Sequence, residues 1–177
     1  MPVRFHLRVS TRFYAPLEDV WRAKTDVDQL ENELHPWLRA TLNKDDLQAG
    51  LRGEGIPRSL PVRFWGLGVV PFPDWPLELV KYEHNRIFVD TTRENPLFHE
   101  WEHRHNIEEA SDAVRYWDAI TFSPKWGPPH LVARSIERLF RHRHRKTAAM
   151  FETDARATAI SQLRVMFDVE ESGEGFM

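Results

Sequence analysis

Apolar and polar positions alternate through Val3-Arg4-Phe5-His6-Leu7-Arg8-Val9, the period of a strand with one buried face. The spacing then changes. Leu17, Val20 and Trp21 share a helical face, Pro16 suits the first turn, and Glu18 and Asp19 suit the positive end of the helix dipole. Asp26 to Leu34 predicts a second short helix with Asp26 as its N-cap. Strand patterns return at Leu38 to Leu42, Pro61 to Leu67, Leu77 to Tyr82 and Ile87 to Thr92, with a glycine-rich loop expected from Asp45 to Ser59. Prolines at 71, 73 and 76 remove ladder donors, so Pro71 to Pro76 is expected to be a loop carrying Phe72 and Trp75.

Phe98 to Ile107 and Val114 to Phe122 read as the arms of a hairpin. Side chains alternate faces, so Trp101, His103, His105 and Ile107 share one face, as do Val114, Tyr116, Asp118, Ile120 and Phe122. With Ala110-Ser111 at the tip, Ile107 is expected to face Val114, His105 to face Tyr116, His103 to face Asp118, and Trp101 to face Ile120. That register matches apolar with apolar at both ends and places a His–Asp pair inside an aromatic-walled face.

From Pro128 the period lengthens. Val132, Ile136, Leu139, Phe140, Arg143, Thr147, Met150, Phe151 and Asp154 fall on one face of a long helix. Leu163 to Glu170 alternates weakly, as an added strand would, and Glu171 to Met177 reads as a frayed acidic tail. No repeat or linker interrupts the chain. The expectation is a single domain over residues 1–158 with a C-terminal extension over 159–177.

The 177 residues can bury roughly 70% of the unfolded surface in one domain. Seven Trp and eleven Phe supply more flat apolar surface than a minimal core requires. A net charge of −3 gives no general attraction to nucleic acid. Without cysteine there is no disulfide or thiolate metal site, which fits a reducing compartment. Met1 to His6 has no leader pattern and no apolar run approaches the ~18 residues of a membrane span, so a cytoplasmic protein without stable membrane insertion is expected. One sheet with one apolar face needs a cover, and the long helix supplies it. The fold class is therefore α+β, with surplus aromatics free to line a gap between the layers.

Four segments taken together resemble a known superfamily. They are Phe13-Tyr14-Ala15-Pro16-Leu17-Glu18-Asp19-Val20-Trp21, Pro96 to His105, Asp118 to Gly127, and Phe140-Arg141-His142-Arg143-His144-Arg145. In order and spacing they resemble the SRPBCC (START-like, helix-grip) superfamily, and within it the polyketide cyclase/dehydrase-like ligand-binding proteins. The resemblance spans residues 3 to about 155, and the segment from Ala159 departs from the family pattern. It implies a helix-grip fold: a curved antiparallel sheet wrapped around a long C-terminal helix, two short helices after the first strand, and an elongated hydrophobic cavity. Members bind lipids, polyketides, hormones or other apolar molecules, and some are enzymes.

The expected function is binding or carriage of a small hydrophobic or aromatic ligand. Trp65, Phe72, Trp75, Trp101, Tyr116, Ile120 and Phe122 would line the cavity, with His103, Asp118 and Arg143 as polar anchors. Arg143 lies on the apolar helix face and needs a buried acceptor, for which Asp118 is the expected residue. Two alternatives stand beside this. One is a cyclase- or dehydrase-like enzyme with His103 as general base, Asp118 as its orienter and Tyr116 as electrophile. The other is an interaction module with a filled cavity, acting through the outward Trp117 and the extension; packing of Trp117 on Leu163, Val165 and Phe167 is the plainer explanation for that tryptophan. A homodimer is compatible with either surface. His103 and His105, with His99 and Asp118 nearby, offer imidazole and carboxylate ligands. Ligand type alone is weak evidence, so no metal and no cofactor is expected. The basic run Arg138 to Lys146 reads as a solvated helix face through Arg141, Arg145 and Lys146, with nucleic acid not expected as a partner.

Overall fold

The computed structural model describes residues 2–151 and 160–167. The elements in chain order are β1 (Val3–Phe13), α1 (Leu17–Lys24), α2 (Val27–Leu34), β2 (Leu38–Thr41), α3 (Lys44–Leu51), β3 (Arg58–Gly66), β4 (Val70–Glu83), β5 (Ile87–Thr91), β6 (Phe98–Glu109), β7 (Val114–Pro124), α4 (Pro129–Phe151) and β8 (Ile160–Phe167). The strands form one antiparallel sheet in the order β2-β3-β4-β5-β6-β7-β1-β8. Irregularities in the pairing fall between Arg63 and Trp65, Leu79 and Lys81, and Phe98 and Glu100, each a place where a sheet bends and twists more strongly.

The alternation read in β1 is realised: Phe5, Leu7, Val9, Thr11 and Phe13 are buried on one face. α4 lies across that face, and its main packing partners are β1, β7, β8 and α2. Its buried residues include Ala133, Ile136, Phe140, Arg143, His144 and Thr147. Met150, expected on this face, is 52% exposed, and Asp154 lies outside the described residues. The acidic tail expected from Glu171 also lies outside them. No described helix is long and apolar enough to cross a membrane.

Three local expectations are corrected. Pro71 to Pro76 is not a loop but the start of β4. β5 pairs only with Glu78 to Glu83, so the prolines sit on a stretch hydrogen-bonded along one edge alone, where a missing N–H costs little. The segment expected to be a loop from Asp45 contains α3, capped by Asn43, whose side chain accepts from the Asp45 and Asp46 amides at 3.1 and 3.2 Å. Leu47 and Leu51, one turn apart, bury its inner face. Finally, the β6–β7 hairpin has a longer tip, with the Ala110 amide donating to the Ala113 carbonyl at 2.8 Å. The register moves by two residues: His105 pairs with Asp118, Ile107 with Tyr116, and His103 with Ile120. An even shift keeps every side chain on its expected face, which is why the composition of the inner face survives.

Candidate functional site

His103 and His105 are successive inward residues of β6, and both are buried. Their ring centroids are 3.7 Å apart. On one side β5 brings Asp90 directly opposite His103. Asp90 Oδ2 lies 3.1 Å from His103 Nδ1 and 3.2 Å from His105 Nε2. On the other side β7 brings Asp118, whose Oδ1 lies 3.1 Å from both His103 Nε2 and His105 Nδ1. The Tyr116 hydroxyl donates to the same Oδ1 at 2.6 Å and stands 2.7 Å from His105 Nδ1. Two imidazoles in close contact, their planes tilted by 45°, thus bridge two carboxylates in the interior. Phe88 stacks on His105 at 3.6 Å, and Phe140 of α4 meets His103 edge-on at 4.8 Å.

The polar chain continues into the helices. Asp118 Oδ2 lies 3.0 Å from His144 Nε2, and His144 Nδ1 lies 2.8 Å from Thr11 Oγ1. Lys24 Nζ, 4.7 Å above the Tyr116 ring, donates to Glu33 Oε1 at 2.8 Å and Thr147 Oγ1 at 2.6 Å. Arg143 Nε donates to Glu33 Oε2 at 3.1 Å, and the Thr147 hydroxyl donates to Glu33 Oε1.

The expected His103–Asp118 pair is present, as a diagonal contact rather than a directly opposed one. The expected Arg143–Asp118 contact is not: Glu33, buried at the end of α2, takes the guanidinium, and His144 takes the free Asp118 oxygen. Asp90, His144, Glu33 and Lys24 were not anticipated. Asp90 had a signal, as the lone acid in the apolar run Ile87-Phe88-Val89. His144 had one too, standing one helical turn beyond Phe140.

Of the expected lining, Trp75, Trp101, Tyr116, Ile120 and Phe122 face inward. Trp75 meets Phe64 at 5.5 Å, Phe98 at 5.6 Å and Trp101 at 5.1 Å, and Trp101 meets Phe122 at 6.2 Å. Trp65 is on the outer face of β3: its Nε1 donates to Thr41 Oγ1 at 3.0 Å and Arg39 stacks on its ring. It falls outside because Val62 and Phe64 take the inner positions of that strand. Phe72 is 37% exposed, lying so close over Gly66 that a Cβ there would come within 3.2 Å of its ring. Trp117 is half-buried on the outer face between the Arg8 and Arg115 guanidinium groups; the side chains of Leu163, Val165 and Phe167 lie outside what is described. Phe64, Leu77 and Trp101 on the inward face are half-buried, while Leu60, Val62, Trp75 and Leu79 beside them are closed to solvent.

Residues 11–151 match the family described as Domain of unknown function (DUF8410). The chain belongs to this family. No curated protein matches it. Among solved structures it is similar to protein CV1439 from Chromobacterium violaceum, at 15% identity over 84% of this chain and 98% of that one, with a TM-score of 0.61. It is also similar to a START superfamily protein from Mycobacterium smegmatis (13% identity, 82% and 97% covered, TM-score 0.59). A third is the Zhui aromatase/cyclase from Streptomyces sp. R1128 (12% identity, 83% and 93% covered, TM-score 0.62). At these identities the likeness is one of fold, and this DUF8410 domain has the START-like, helix-grip fold of the SRPBCC superfamily.

Electrostatics within the DUF8410 site follow from its closure. Burial alone would raise the Asp118 carboxyl, but the adjoining His103 and His105 hold it well below the usual carboxylate range. Asp90 is likewise held down against burial by His103 and His105. Burial disfavours a charged His103, yet Asp90 and Asp118 outweigh it and raise its pKa; His105 is lowered by burial and by the charge on His103. Burial and the Asp118 charge push the Tyr116 phenol well up. The cluster is thus a place built to hold positive charge between two carboxylates. Asp90, His103 and His105 each place one metal-ligating atom within 4.8 Å of the others.

Proposed function

We propose that this domain binds a small hydrophobic or aromatic molecule, lipid- or polyketide-like, on the concave side of the sheet beside α4. The observation that carries this reading is the position of Trp101. Its ring is half-buried on the inner face, continuous with Trp75, Phe98 and Phe122, and the next inward residue is the fully enclosed His103. Apolar surface left open on an inner face costs roughly 25 cal/mol per Å², which a bound apolar molecule removes. An aromatic wall ending at a polar cluster suits a ligand with a flat apolar body and one polar end. The shared fold with a START superfamily protein and an aromatase/cyclase supports the same class of ligand. We take residues 1–158 as the binding domain and 159–177 as an extension, acting in the cytoplasm.

Geometry favours binding over a free general base. Both nitrogens of His103 face carboxylates, so neither is directed at an incoming substrate.

Native mass spectrometry of gently purified protein, followed by extraction, tests the reading. A stoichiometric apolar compound is expected, along with quenching of tryptophan emission by the extracted compound that is lost in Trp101→Ala. An empty chain that also fails to bind hydrophobic fluorescent probes overturns it in favour of a filled interior.

A further inference from the structure

The imidazoles of His103 and His105 lie between two buried carboxylates. A neutral imidazole has one N–H and one lone pair. Every ring nitrogen of His103 and His105 faces an oxygen of Asp90, Asp118 or Tyr116 within 3.2 Å. Carboxylates only accept hydrogen bonds, so a nitrogen whose sole partner is a carboxylate needs a proton. With His103 doubly protonated, a neutral His105 is satisfied by donating from Nε2 to Asp90 Oδ2 at 3.2 Å and accepting at Nδ1 from the Tyr116 hydroxyl at 2.7 Å. That arrangement puts a full positive charge on the enclosed His103, between the two carboxylates.

A metal cation beside Asp90 places positive charge there with both imidazoles neutral. Imidazole nitrogens and carboxylate oxygens bind zinc at about 2.0–2.2 Å, so two ligand atoms on one ion stand roughly 3–3.5 Å apart. Asp90 Oδ2 is 3.1 Å from His103 Nδ1 and 3.2 Å from His105 Nε2, which matches. The lone pairs of those nitrogens then point at the ion, and the opposite nitrogens carry N–H groups toward Asp118. Metal-bound imidazoles characteristically donate their second N–H to a carboxylate in this way. Tyr116, donating to Asp118 and standing beside His105, fixes that second carboxylate.

We propose that Asp90, His103 and His105 form a binding site for a first-row divalent metal ion, zinc or ferrous iron in character, with Asp118 orienting both imidazoles. Two nitrogens and one carboxylate select such ions over calcium or magnesium, which prefer all-oxygen sites. Three protein ligands leave a coordination position for water or for the polar end of a bound molecule. Trp101, its ring half-buried, brings its Nε1 to 3.5 Å from Asp90 Oδ1 and so links the site to the solvent-reaching part of the inner face. The site does not depend on the identity or existence of an apolar ligand.

The test uses the full, untagged chain stripped with a chelator and dialysed against zinc. Elemental analysis should return one zinc per chain, and long-range ¹⁵N–¹H spectra should show metal-bound nitrogens on His103 and His105. Asp90→Asn, which keeps the shape of the side chain, should lower the retained zinc at least tenfold while the far-ultraviolet circular dichroism matches wild type. If that variant does not fold, the wild-type spectra decide alone. No retained zinc, zinc bound through exposed imidazoles such as His35 or His99, or an Asp90→Asn chain that retains the full equivalent each overturns the site.

Discussion

Arg143 on α4 donates to Glu33 on α2 over 3.1 Å, with both side chains all but closed to solvent. Lys24 on α1 shares the same carboxylate, so one anion holds two cations that belong to different helices. Removing one partner of a buried ion pair leaves an uncompensated charge, at a typical cost of about 3–5 kcal/mol. Glu33→Ala is therefore expected to lose about that much stability in urea denaturation. A loss under about 1 kcal/mol, the range of an exposed pair, contradicts the reading.

The same carboxylate gives a pH dependence with a definite sign. Burial would raise the Glu33 pKa, but Lys24 and Arg143 outweigh it, so the folded value lies below the ordinary 4.5. A depressed folded pKa contributes stability that is fully present above the unfolded value and is lost as pH falls through the folded one. Denaturation curves from neutral pH down to about 3 should lose stability below about 4.5, and Glu33→Gln should show a shallower loss over that window. Parallel curves for the two proteins would refute the assignment.

Two residues of α4 separate the buried face from the open one. Phe140 is 3% exposed and meets His103, whereas Met150 is 52% exposed. Phe140→Ala should cost about 3–5 kcal/mol, and Met150→Ala should stay within about 0.5 kcal/mol of wild type. Thermal melts of the pair check the orientation of the helix.

Two tryptophans separate inner from outer sheet faces. Trp101→Ala is expected to weaken binding of the extracted apolar ligand at least tenfold, about 1.4 kcal/mol or more. Trp65→Ala, on the outer face, should leave affinity unchanged. Titration by ligand fluorescence distinguishes them, and equal effects would displace the proposed site from the inner face.

The fold was largely legible because it rests on period. Alternation marked β1, β6 and β7, and the longer spacing through Ile136, Phe140, Arg143 and Thr147 marked the buried stripe of α4. α3 was hidden because its buried face is only Leu47, Gly50 and Leu51, in a segment whose glycines suggest turns. The candidate site was half legible. His103, His105, Tyr116 and Asp118 sit on adjacent strands where parity alone assigns them to one face. Asp90 and Glu33 come from elements whose relative placement depends on the three-dimensional path of the chain. A guanidinium on an apolar helix face announces that it needs an acid, yet nothing local says which one.

The buried polar attachments of α4, through Arg143, His144 and Thr147, all fall in its second half, while the buried residues of its first half, Ala133, Ile136 and Phe140, hold by apolar contact. The helix is thus pinned through buried polar groups at one end and packed through buried apolar ones at the other. Tilting the other end exposes aromatic surface without breaking the buried Arg143–Glu33 ion pair, so local opening there is a lower-energy event than release of the pinned end. Amide hydrogens in the first half of the helix should exchange with solvent sooner than those from Arg143 to Ala148, while the chain as a whole remains folded.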